Sequence, residues 1–326
     1  MRLALVGDVM LGRGVNAALS QAGPEYPWGD TLRTFHEADW RMCNLECVIA
    51  DRGVPWRATP KAFHFRSDAR NMAVLTAAGI DAVSLANNHS LDFGYDALSE
   101  MLQLLDAKNI KHAGAGPNHS KAFEPALSKV GRTTIALIAL TDNEPQWEAT
   151  ARGAGLAYLP IDVTDHRSQE LFVKIGAAKQ RGAVVVISAH WGPNWGYEPP
   201  KEHIGFAHRM IDEGADIIFG HSGHVFRGIE LYRERPIIYC AGNFIDDYAI
   251  DEFERNDESF IFAIDLDNEA RPRIVSLSPT VIAERQARTA GVRARSIVAK
   301  MHDLCASLNT FTKWNDRDQH LEIRIG

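Results

Sequence analysis

The run Ala183-Val-Val-Val-Ile-Ser-Ala-His190 is, but for Ser188, apolar on both of its alternating faces until it ends in a histidine. Such a strand has no face to offer water, so it predicts an interior place in a mainly parallel sheet covered on both sides. The chain repeats the device. Residues 2–8 read as a strand ending at Asp8, and 40–46 as one ending in Asn44 and Glu46. The run through Val83 and Leu85 stops at Asn87-Asn88-His89, and 215–220 is followed by His221 and His224. A strand over 236–240 leads into Gly242-Asn243-Phe244. In an open α/β sheet, polar residues just past the carboxyl ends of strands sit where ligands bind.

Helical patterns separate these strands. The clearest covers 95–109, where Leu98, Met101, Leu102 and Leu105 recur at helical spacing. Further helices are expected at 15–21, 68–78, 165–181 and 201–213, and further strands at 133–140 and near 157–159. The alternation predicts the α/β class. Residues 260–266 and 273–277 read as closing antiparallel strands, 285–308 as a C-terminal helix, and the remainder as a polar tail. Residues 50–66, with Pro55, Trp56, Pro60, Phe63, His64 and Phe65, read as a structured loop over a site. No repeat or linker divides the chain.

The formal net charge of -7, with Lys and Arg thinly spread, disfavours a nucleic-acid partner. No run of about 18 apolar residues occurs, so no membrane span is expected. A strand that opens at Leu3 leaves no room for a signal peptide, which predicts a cytoplasmic chain. Cys43, Cys47, Cys240 and Cys305 form no CxxC pair and read as reduced, buried thiols.

Asp8, Glu46, Asn88, His89, His190, His221 and His224 thus fall at the ends of separate strands. Carboxylates, an amide and imidazoles make a mixed N/O ligand set for Mn, Fe or Zn. One carboxylate bridging two metals about 3.5–4 Å apart makes a binuclear hydrolytic centre. The same groups without metal are bare acids and bases. His36, His112, His119, His166 and His302 follow no such pattern and read as surface or packing residues. The loop from His190 through Trp191, Trp195 and Tyr197 either grips a peptide or packs its own hydrophobes.

Gly7-Asp8-Val-Met-Leu-Gly12-Arg13, Asn44-Leu-Glu46, Ala86-Asn-Asn-His89, Ala189-His190-Trp191-Gly192, Gly220-His221-Ser-Gly-His224-Val225 and Gly242-Asn243-Phe244 resemble, in order, the motifs of the CapA-like poly-γ-glutamate capsule synthesis (PGA_cap) proteins, distant relatives of the calcineurin-like metallophosphoesterases. The resemblance covers roughly 1–285, leaving a C-terminal helix and tail, 286–326, packed on that domain. It implies a four-layer α/β/β/α sandwich of the metallo-dependent phosphatase type. It also implies roles. Asp8 and His224 hold a first metal, Glu46 bridges, and Asn88, His190 and His221 hold a second. His89 faces the leaving group as a general acid or stabilises developing charge, and Asp8 and Glu46 join it in the catalytic set. Arg13, Asn44, Trp191, Trp195 and Asn243 are the candidate substrate contacts.

Two departures stand out. Met10 replaces the histidine of the wider Asp-x-His motif, so the first site is short of a nitrogen ligand. His221 and His224 are spaced His-x-x-His rather than His-x-His. Three functions follow as expectations. The leading one is a metal-dependent hydrolase of a phosphoester or of an amide-linked γ-glutamyl, peptide or polyglutamate substrate. The second is a metal-independent acid/base enzyme, such as a Cα epimerase of a lasso-type ribosomal peptide. The third is a non-catalytic polyglutamate-binding accessory protein, against which the negative charge works mildly.

Overall fold

The computed structural model describes residues 1–326 and contains two large sheets packed face to face. The ten-stranded sheet runs, edge to edge, 313–315, 320–324, 272–283, 258–266, 2–9, 40–45, 82–84 and 111–113, with 243–245 beside 2–9 and 286–289 beside 272–283. The six-stranded sheet runs 229–232, 235–238, 217–221, 184–190, 133–141 and 126–130.

Alternation along the strands makes the layers. Leu3 and Leu5 face inward against Val184, Val186, Ile217 and Phe219 of the other sheet, with Phe260 and Phe262 in the same cluster. Ala4 and Val6 face outward, onto the helices Arg13–Leu19, Met72–Ala77 and Gly94–Ala107. Val185 and Ile187 face outward on the second sheet, onto the helices His166–Gln180 and Lys201–Asp212. The order is helix, sheet, sheet, helix: the four-layer sandwich expected of the resemblance. The doubly apolar run at 184–190 is what its two covered faces require.

The C-terminal stretch differs from the expected helix and polar tail. Glu284 and Arg285, with φ of 54° and 62°, form a two-residue turn that pairs Gln286–Thr289 back onto Pro272–Ala283. The helix is therefore Ala294–Ser307, and its Ile297, Val298, Met301 and Cys305 join the layer between the sheets. The tail is a hairpin of Lys313–Asn315 and His320–Arg324, with Leu321 and Ile323 buried in that same layer. The strand expected near 157–159 falls at Gly155–Leu156. No helix is long and apolar enough to cross a membrane.

Candidate metal centre

The site begins with a change of neighbours along Arg2–Val9. Residues 2–5 pair with the antiparallel strand Glu258–Leu266, whereas Asp8 and Val9 pair with the parallel strand Asn243–Ile245. Gly7 sits at the change. A Cβ there would lie 1.9 Å from the Gly242 carbonyl oxygen, so only glycine lets the two backbones meet. The pairing with Trp40–Leu45 slips at the same point, between Val6 and Asp8, and sets Asp8 opposite Asn44.

Asn44 donates from Nδ2 to Asp8 Oδ1 at 2.7 Å, and Asn87 donates to Asn44 Oδ1 at 3.0 Å. This amide relay fixes the carboxylate. Across the gap, His190 and His221 are register partners on adjacent parallel strands, with Nδ1 atoms 2.9 Å apart. His190 Nε2 lies 3.0 Å from Asn88 Oδ1; an amide oxygen only accepts, so Nε2 carries the proton and Nδ1 keeps its lone pair. His221 Nε2 lies 2.7 Å from Ser188 Oγ, and its Nδ1 lies 3.7 Å from Asp8 Oδ1. Asp8, His190 and His221 thus present ligand atoms to one point, all within 4.8 Å of one another.

A second group, Asp8, Glu46 and His224, meets the same criterion. His224 follows the strand end at His221 through a turn in which Ser222 (φ 95°) and His224 (φ 51°) hold left-handed backbone. Non-glycine residues pay for that conformation, and such strain collects at functional sites. Its Nδ1 lies 3.0 Å from Asn243 Oδ1, which leaves Nε2 unprotonated to face a ligand. Tyr248 donates to Glu46 Oε2 at 3.4 Å. The carboxylate common to both groups is Asp8, and Glu46 belongs to the second.

The donors suit a cation. Asp8 Oδ2 and Glu46 Oε1 are buried without any hydrogen-bond partner, a costly state for carboxylate oxygens that only accept. Burial lifts Asp8 to about 7 and carries Glu46 well above the usual carboxylate range. Burial also lowers His221 to about 3 and His190 well below the ordinary imidazole value, so both rings stay neutral with free lone pairs. Neutral imidazoles and carboxylates that resist ionising until a positive charge arrives fit a divalent metal.

His89 stands beside this centre. Its Nδ1 donates to Asp92 Oδ2 at 2.6 Å, its ring lies 4.1 Å from that of Phe65, and its Nε2 remains free. Asp92 also accepts the Phe65 N–H at 2.6 Å, and Lys61 Nζ lies 3.3 Å from its other oxygen. Lys61 and Phe65 both come from the 50–66 loop expected to cover a site.

The chain matches the family described as bacterial capsule synthesis protein PGA_cap over residues 2–248. It belongs to the PGA_cap family. It is 32% identical over 282 residues to a probable polyglutamine synthesis accessory protein of Mycobacterium tuberculosis, covering 75% of this chain and 74% of that one. It is 30% identical over 246 residues to the PGA biosynthesis protein CapA of Bacillus subtilis, covering 75% of this chain and 63% of that one. Among solved structures, the protein TT1561 of Thermus thermophilus aligns at a TM-score of 0.41 and 12% identity, covering 80% of this chain and 92% of that one.

Not every motif residue of this PGA_cap chain belongs to the two ligand groups. Trp191 is fully buried, donates to the Tyr239 carbonyl at 3.0 Å and stacks on His203. Its ring belongs to the core between the second sheet and its helices. Asn44 and Asn243 are also fully buried, with their side chains on Asp8 and His224. Asn88 holds the outer nitrogen of His190, on the side away from His221. Arg13 and Trp195 do reach the mouth. Arg13 pairs with Asp247 at 2.9 Å and lies over the rings of Phe65 and Tyr248, while Trp195 is half-exposed, 5.7 Å from the ring of His224. Met10 is buried in the helix-side cluster with its sulfur accepting from Gly12 N–H. Sequence reading missed Asp92, Tyr248, Lys61 and Asp246, a buried carboxylate whose charge is felt by Glu46 and Asp8. Only Asp92 left a signal, a carboxylate one helical turn after His89.

Proposed function

We propose that this PGA_cap protein is a metal-dependent hydrolase that cleaves an amide-linked acidic substrate, of which a γ-glutamyl chain is the leading candidate and a phosphoester the alternative. One observation carries the reading: two ligand groups that share the buried, partly unsatisfied carboxylate of Asp8, with the His89–Asp92 pair alongside. The name of the Bacillus subtilis relative, a PGA biosynthesis protein, supports the acidic amide chain as substrate.

Asp8, His190 and His221 would hold one cation, and Asp8, Glu46 and His224 a second. Bound there, divalent cations supply Lewis acidity and water activated near neutral pH. The protein's own groups do the rest. Asp92 fixes the His89 tautomer with Nδ1 protonated, which leaves the Nε2 lone pair free. His89 takes a proton from water at Nε2 and, charged against Asp92, hands it to the departing amine or alcohol. Tyr248 restrains Glu46, and the Phe65 ring keeps one side of His89 dry.

The test is the full-length protein, purified without chelators, assayed for bound Mn, Fe and Zn and then against γ-glutamyl amides and phosphoesters with each metal added. One or two equivalents of metal and turnover of either class are expected. A chain that takes up no metal and turns over neither class would sink the reading.

A further inference from the structure

Trp195 stands at the mouth on a loop that does not hold itself in place. Residues 193–199 form no helix or strand, and none of their backbone groups bonds to another backbone group. Two tethers hold them instead. On the outer side the Tyr197 hydroxyl donates to the Glu254 carbonyl and accepts from Lys300 Nζ at 2.9 Å, while the Gly196 N–H reaches the Glu254 carboxylate at 3.4 Å. On the inner side stands Arg227, fully buried. Its Nε donates to the Gly196 carbonyl at 2.9 Å, and its Nη2 to those of Pro193 and Trp195 at 3.1 and 3.3 Å.

A buried charge is costly unless it is paired, and Arg227 has carbonyl oxygens for partners and no carboxylate, with Nη1 left unbonded. An uncharged side chain would fill the same place at less cost to stability. What it would lack is the rigid fork of donors that grips three carbonyls of one loop. The fork is itself fixed to the centre. Arg227 lies just beyond His224, its backbone N–H donates to the Cys240 carbonyl at 2.9 Å, and Phe226 before it bridges to Ala241. Gly223, beside His224, makes the room: a Cβ there would lie 3.2 Å from Nη2 and 3.0 Å from Cys240 Sγ. One short segment therefore carries both His224 and the clamp on the loop whose Trp195 ring lies 5.7 Å from that of His224.

We propose that Arg227 is a positioning residue: by clamping residues 193–196 it sets Trp195 as a wall of the mouth, against which the substrate packs before the centre acts on it. An indole suits such a wall, because it offers a large, rigid, flat face with little conformational freedom to lose. The substrate side rests on the hydrolase reading above, whereas the clamp is read from Trp195 without turnover. Loss of the clamp should loosen substrate binding and leave both ligand groups with their metal.

The test is made on the full chain with Arg227→Lys, which keeps the charge and loses the fork, and Arg227→Gln, which keeps an amide donor and loses the charge. Two variants keep the test open if one fails to fold. Trp195 emission is isolated as the difference between each chain and its Trp195→Phe form. In the metal-free chain both variants should shift that emission to the red and make it more readily quenched by acrylamide, and on loading both should take up metal as wild type does. Against γ-glutamyl amides or phosphoesters, whichever is turned over, KM should rise about tenfold with kcat within about twofold. Arg227→Lys should add nothing to the KM of Trp195→Ala, since the two changes remove one wall. The proposal is overturned if stability falls while Trp195 emission stays as in wild type, or if KM stays in place when the emission shifts. It is also overturned if kcat and metal content fall instead, which would make Arg227 a support of the centre. A wild type without turnover under any metal removes the hydrolase reading and leaves the emission to decide the clamp: a shift keeps it, and no shift overturns it.

Discussion

The two ligand groups around Asp8 are built by different means. Asp8, His190 and His221 are all 0–1% exposed, and both histidines stand in register at the ends of interior parallel strands. Their positions follow from strand pairing, and the group is rich in nitrogen. Asp8, Glu46 and His224 form a carboxylate-rich group. Its histidine hangs on a strained turn, is less buried, and faces Trp195 and Tyr248 at the mouth. On the proposed reading the lesson is a division of labour: a rigid anchor site beside an adjustable one that would meet the substrate. Nitrogen-rich sets favour zinc-like ions, and oxygen-rich sets favour manganese-like ions.

Asp8 belongs to both groups, so Asp8→Asn should have the largest effect. Both metal equivalents should be lost, with a fall in turnover of at least about 10³-fold, read by elemental analysis and rate together. Retention of one full equivalent would mean that the groups do not share a ligand. The single histidines sharpen the contrast. His221→Ala should remove the tighter equivalent and His224→Ala the weaker one, each leaving the other site filled. Equal losses from the two variants would erase the distinction between anchor and adjustable site.

Asp92 acts on neither metal group, so Asp92→Asn should keep both equivalents. Turnover should fall about 10–100-fold because His89 loses its fixed tautomer, part of the 10²–10⁴-fold that positioned proton transfer supplies. A fall in metal content would make Asp92 a structural support of the centre instead.

The anchor site was the more legible in sequence, and the reason is physical. A doubly buried strand must be almost wholly apolar, so the histidine that ends it, His190 or His221, marks the sheet edge directly. Asp8 and Glu46 carried the same signal. The adjustable side was not legible in the same way. Tyr248 and Asp246 reach it from a segment after Asn243–Ile245 whose local pattern reads as loop, and Lys61 arrives from a loop 27 residues from the backbone oxygen it contacts. Trp191 and Trp195 stand four residues apart in one aromatic loop, yet one is core and the other rim; that depends on which layer each meets. The partition of strands between two sheets was hidden for a related reason. Leu3 and Val184 bury against each other, but nothing local distinguishes a strand whose cover is a sheet from one whose cover is a helix. The hairpin at 284–285 was missed because its two left-handed residues are Glu and Arg, not the Asn-Gly that announces such a turn.

The acids and the imidazoles of the centre should also respond to pH in opposite senses. Burial raises Asp8 from its ordinary 3.8 to about 7, so in the metal-free chain its contribution to stability is complete below the ordinary value and is lost as pH rises through about 7. His221, lowered from 6.5 to about 3, contributes fully above the ordinary value and loses that contribution as pH falls toward 3. A cation needs the carboxylate ionised and the imidazole neutral. Metal affinity should therefore rise up to about tenfold per pH unit, per proton displaced, between pH 5 and about 7, and level off above. Thermal unfolding at pH 6 and pH 8 should register a larger midpoint increase on adding Mn²⁺ at the higher value. An affinity flat across this range would mean that Asp8 is already ionised without metal.

The smallest effect on metal should come from the change that looks most like a repair. Met10→His restores the Asp-x-His spacing of the wider superfamily, and a reading from motifs alone expects the adjustable site to gain its missing nitrogen. The backbone argues otherwise. Met10 lies in the apolar cluster between the large sheet and its helices, with its sulfur 3.0 Å from the Gly12 nitrogen. An imidazole there meets Val and Leu side chains rather than the Glu46–His224 group, and burying it should cost about 1–3 kcal/mol of stability. Metal affinity should stay within about twofold of wild type, measured by competition with a chelator. Tighter binding would mean that residue 10 can turn toward Asp8, and that the contrast between the two groups is a matter of which side chain occupies one position. Unchanged binding would place the contrast in the strand path itself, where the slip at Gly7 aims Asp8 at both groups.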